Sequence, residues 1–85
     1  VSVLKRLALE MVRTNLGTTE VRARDGIRRV RQALDDLERF IDSDDDVFDT
    51  ACNGARALGE VYVDCSRAAT FRTILAIAET DEGEA

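Results

Sequence analysis

Apolar residues recur along this chain at intervals of three and four. Leu4, Leu7, Ala8, Met11 and Val12 share one helical face near the start. Further on, Ala23, Ile27, Val30, Leu34, Leu37 and Ile41 are spaced 4, 3, 4, 3, 4, the repeat of a coiled-coil seam. Beyond residue 50 the same rhythm reappears less cleanly and ends in Phe71, Ile74, Leu75 and Ile77. No segment alternates apolar and polar residues as a half-buried strand does. Val61-Tyr62-Val63 has strand propensity but no evident partner strand.

The stop and start signals divide this pattern into three helices. Ser2 is a candidate N-cap for a helix over about 3–16, and Gly17 follows its last apolar residue, where helices commonly end. Thr18 and Thr19 then offer an N-cap for a helix over about 19–41. So short a link makes the first two helices antiparallel. Gly26 costs roughly 1 kcal/mol against alanine in a helix, which suggests a close approach by another helix there. Ser43, followed by Asp44, Asp45 and Asp46, reads as the N-cap and acidic first turn of a third helix over about 44–78. Gly54 and Gly59 are possible kinks in it, and residues 79–85 read as a frayed acidic tail.

The expected fold is therefore all-α: an antiparallel helical hairpin plus a long third helix. Its three helices, roughly 20, 35 and 50 Å long, are unequal. The third would overhang the others and expose Phe71, Ile74 and Leu75, so two chains are expected to combine into a larger bundle. Small residues at Ala51, Ala55 and Gly59, continued by Cys65 and Ala69, would let helices approach closely, within one subunit or between two.

Composition narrows the functions open to such a fold. The 85 residues make one small domain, with net charge -5 from 17 acids against 12 bases. That balance argues against general coating of nucleic acid or anionic membranes. Eleven of the bases are Arg and only Lys5 is lysine, which together with abundant Asp suggests a GC-rich genome and a salt-adapted host. There is no histidine, so the usual general base near neutral pH is missing. Cys52 and Cys65, 13 apart on one expected helix, cannot bridge each other. They read as buried, reduced structural thiols in a cytoplasmic protein. No zinc site, cofactor site, signal peptide or membrane span is apparent. The opening Val1 suggests a trimmed chain.

Three groups of residues carry possible chemistry. Arg24, Arg28 and Arg31 share a face that could meet phosphates, flanked by Arg22 and Arg29. Acids stand one turn from most of them: Glu20 before Arg24, Asp25 before Arg28 and Arg29, and Asp35 after Arg31. A solvated ion-paired face therefore competes with nucleic-acid binding. The alternation Asp42, Asp44, Asp46 resembles the start of a calcium loop, but Val47 stands where that loop needs glycine and Asn53 where it needs glutamate. Asp42-Ser43 resembles, in outline, the attachment site of acyl carrier proteins, in which a serine opening a helix carries phosphopantetheine. Asp44 replaces that family's leucine. Length and arginine content also resemble small dimeric helical chorismate mutases, without a shared motif.

Together these features point to a non-enzymatic helical interaction module, with no catalytic residue, metal or cofactor. It would act through Ile27, Val30, Leu34, Leu37 and Ile41 on the seam and Phe71, Ile74 and Leu75 on the overhang. Its expected partner is a second copy, a dimer being favoured, or another helical protein. The alternative is a nucleic-acid-associated regulator using Arg24, Arg28 and Arg31, and a carrier protein or helical enzyme ranks below both.

Overall fold

The computed structural model describes the backbone of residues 2–84 and the side-chain surroundings of residues 2–80. Its described part is helical apart from Ser2 and a connection of eight residues. α1 spans Val3–Arg39 and α2 spans Phe48–Glu84, 37 residues each. They fold back on each other as a hairpin measuring 65 × 18 × 13 Å.

The helical class agrees with expectation, but the division into three does not. α1 passes straight through Gly17-Thr18-Thr19, which separates no helices. Gly17 has no positive φ and faces open space. Thr18 donates its hydroxyl to the Thr14 carbonyl, a bond inside a continuing helix, and Thr19 is buried against α2. Gly54 and Gly59 likewise leave α2 unbroken, and Val61-Tyr62-Val63 is helical.

One repeat explains why the helices persist. On α1 and its C-cap Phe40, the positions Leu9, Val12, Leu16, Thr19, Ala23, Gly26, Val30, Ala33, Leu37 and Phe40 alternate steps of three and four, and each is buried or half-buried. From Val47, just before α2, the positions Thr50, Gly54, Ala57, Val61, Asp64, Ala68, Phe71, Leu75 and Ala78 do the same. Gly26 faces Val61 and Gly54 faces Ala33, so facing residue numbers add to 87 along the seam. A glycine costs roughly 1 kcal/mol inside a helix. Breaking the zipper at Gly17 would forfeit the burial of Leu9, Val12 and Leu16, each contributing up to about 1.5–3 kcal/mol. Continuity wins.

The seam is narrow. Its buried apolar members are Leu9 and five alanines: Ala23, Ala33, Ala57, Ala68 and Ala78. With glycines at Gly26 and Gly54, such residues let the helix backbones approach closely.

The ends are held by side chains. Ser2 caps α1 by accepting the Lys5 N–H at 3.1 Å. Ser43 does not start a helix. It sits in the connection, where its hydroxyl donates to the Phe40 carbonyl and accepts from the Asp45 N–H. The cap of α2 comes instead from Asp46, whose carboxylate accepts the Phe48 N–H at 2.9 Å. α2 therefore starts four residues later than expected, and it runs beyond Ala78 to Glu84.

Equal helices also remove the expected overhang. Phe71 and Leu75 lie half-buried in the seam against α1, while Ile74 points away from it and is exposed. The unequal lengths that argued for a second chain do not exist, so any case for one has to rest on the surface of the hairpin itself.

Candidate interaction surface

Because the seam takes one stripe of each helix, the flanking positions define two sides of the hairpin. Glu20 and Arg24 share a groove with Cys65 and Arg72, all one or two positions off the seam, so the residues just after the seam on both helices lie on one side. Arg29, Gln32 and Asp36 share another groove with Asn53, Arg56 and Glu60, so the residues just before the seam lie on the opposite side.

The second side is polar toward the connecting turn and is tied across the helices. Arg29 pairs with Glu60 at 3.7 Å and with Asp25 at 2.8 Å. Arg22 reaches Asp64 at 4.0 Å. Asp64 is only 5% exposed and sits within the seam. Toward the free ends this side turns apolar, with Leu4, Met11, Ile74 and Ile77 exposed.

The first side is apolar toward the turn. α1 presents Ile27 and Leu34, the connection adds Ile41, and α2 presents Phe48, Ala51, Ala55, Leu58 and Tyr62. Leu34 is 59% exposed, Ile41 77%, Phe48 68% and Tyr62 73%. The stripe read as one seam, Ala23 to Ile41, is thus split. Ala23, Val30 and Leu37 face α2, while Ile27, Leu34 and Ile41 form this outer flank. The small residues Ala51, Ala55 and Gly59 are also outside the intrachain seam, and nothing stands within 4 Å of a Cβ built at Gly59. Cys52 and Cys65 are free thiols and exposed, not buried as expected.

Phe48, Leu58 and Tyr62 do not stand out in the sequence alone. Their signal is nonetheless there: each follows a seam position by one residue, so together they trace a second stripe beside the first.

The arginine face is exposed as expected. Arg24 stands 3.8 Å from Glu20 and Arg28 stands 3.7 Å from Asp25. Arg24, Arg28 and Arg31 surround half-buried Ile27 in a shallow depression. Among the described residues, Arg31 and Glu38 make no ion pair within the chain, and Asp35 does not take the role expected of it. Arg39 pairs with Asp36.

Among the described residues, no three His, Cys, Asp or Glu side chains are placed to hold a metal ion. No described helix is long and apolar enough to cross a membrane. Comparison with family models, with curated proteins and with solved structures gives no match.

Proposed function

We propose that this chain is a non-enzymatic helical interaction module whose working surface is the apolar flank near the turn. One observation carries the reading: toward the turn the apolar residues the hairpin buries are the alanines Ala23, Ala33 and Ala57, while the large side chains Leu34, Ile41, Phe48, Leu58 and Tyr62 stand outside the seam, exposed. Burying such a side chain contributes about 1.5–3 kcal/mol, so a surface that collects five of them is built to be covered.

The exposed area supports the same reading. A compact protein of 9.4 kDa exposes about 5,000 Å², and this hairpin exposes 6490 Å². Its radius of gyration is 19.1 Å, against about 12 Å for a compact chain of this length. A nucleic-acid regulator using Arg24, Arg28 and Arg31 has less support. Two of those arginines already have carboxylate neighbours, and the chain as a whole is acidic.

The test is association measured by light scattering, on purified protein and on tagged protein in host extract. Phe48→Ser combined with Leu58→Ser should weaken the complex in whichever setting it forms, with helical content retained by circular dichroism. A chain that stays at its own mass in both settings, unaffected by the substitutions, contradicts the reading.

A further inference from the structure

We propose that the occupant of this flank is a second copy of the chain, docked antiparallel about a twofold axis that passes beside Leu34. The inference rests on the interaction reading and names its partner. The expectation of a dimer from unequal helices has lost its basis, and the surface of the hairpin alone supports this one.

The flank is self-complementary about that point. An in-plane axis perpendicular to the rods sets α1 against α1 and α2 against α2 of the second copy, each antiparallel. Ile27 and Ile41 lie seven residues either side of Leu34. Rotation therefore places Ile27 of one copy on Ile41 of the other, with the two Leu34 side chains meeting at the centre. The hairpin register puts Asn53 of α2 level with Leu34, midway between Ala51 and Ala55. The same axis sets Ala51 against Ala55 and Phe48 against Leu58 of the second copy. Small residues at the centre allow close approach, and large ones close the contact on either side.

Charge obeys the same symmetry. Arg31 lies three residues before Leu34 and Glu38 four after it, about 4.5 and 6 Å along the axis. Rotation brings Arg31 of each copy beside Glu38 of the other. Neither group finds an ion-pair partner within the described chain. Farther out, Arg24 lies ten residues, about 15 Å, before Leu34, so the rotation carries the arginine face of one copy toward the turn end of the other, which holds Asp42 to Asp46. The two most conspicuous charge runs in the sequence then answer each other. A face running about 15 Å either side of the axis on a hairpin 18 Å wide is of the order of the roughly 800 Å² per partner in a standard interface.

Sedimentation equilibrium on the purified chain between about 1 and 100 µM tests this. The expected mass is twice 9.4 kDa. Leu34→Asp should return it to one chain with helical content unchanged, because Leu34 is exposed in the hairpin. Arg31→Glu and Glu38→Arg should each weaken the dimer roughly tenfold through two like-charge contacts, and the two together should restore it. A purified monomer across the range overturns the second-copy assignment. If that monomer still forms a complex in host extract, the interaction reading survives and its partner is another chain. A dimer untouched by Leu34→Asp places the interface elsewhere and overturns this face. Single charge reversals that weaken the dimer without rescue by the pair overturn the antiparallel register.

Discussion

A Cβ built on Gly26 would lie 2.6 Å from Cγ2 of Val61. That distance is below any real contact, so the backbone of α1 runs against the side chain of α2 with no room for another carbon. Gly26→Ala gains about 1 kcal/mol of helix propensity and loses more by driving the stiff valine or the helix away. We expect a net loss of about 1–2 kcal/mol in urea unfolding. Gly54→Ala should behave similarly, because its Cβ would lie 2.8 Å from that of Ala33. Gly17→Ala and Gly59→Ala meet nothing within 4 Å, and Gly17→Ala should gain about 0.5–1 kcal/mol. Gly59 lines a groove with Arg22, Arg29 and Glu60 on the ion-paired side, which makes Gly17 the cleaner control.

Asp64 occupies a seam position that an apolar residue would fill, and its ion-pair partner is Arg22 at 4.0 Å. A buried carboxylate in a zipper costs stability and restricts register. Asp64→Leu should therefore raise the unfolding midpoint, by the equivalent of about 1–3 kcal/mol. Arg22→Ala should cost less than about 1 kcal/mol, since the arginine is more than half exposed and solvent screens the pair. Thermal melts of the two variants check both directions.

The turn is anchored by Asp46 on the Phe48 N–H. Asp46→Ala removes that acceptor and should cost about 1 kcal/mol by thermal unfolding. Ser43→Ala also loses local hydrogen bonds in the turn, but it caps no helix and should cost less.

The arginine face makes a separate prediction. Salt-titrated binding to duplex DNA should show at most weak affinity, unchanged in kind when Arg24, Arg28 and Arg31 are replaced by Gln. Tight binding that falls steeply with salt and is lost in the triple variant would favour the nucleic-acid reading instead.

Residue size decides how much of this fold and surface is legible in the sequence. The helical class, the Ser2 cap and the close approach at Gly26 can be read directly, because they depend on local pattern. The number of helices cannot. Gly17 carries a stop signal worth about 1 kcal/mol, and the burial that overrides it comes from α2, distant in sequence. The seam itself is hidden by its own composition. Ala, Gly, Thr and Asp fill positions where hydrophobic pattern reading seeks Leu and Ile, so the larger Ile27, Leu34 and Ile41 draw attention to the flank. Val30 and Leu37 lie in the seam beside that flank, which is why the 4, 3, 4, 3, 4 spacing looks like one stripe. On α2, Phe71 and Leu75 do need cover, but the cover is α1 of the same chain.

Large side chains stand outside the hairpin, where a partner can bury them. Linked association makes the melting temperature of such a protein depend on its concentration. Circular-dichroism melts of the purified chain at about 1, 10 and 100 µM should show a midpoint that climbs with concentration, while Leu34→Asp melts at one lower temperature throughout. A parent midpoint that stays fixed over that hundredfold range, and coincides with that of Leu34→Asp, would contradict burial of this flank by a second copy.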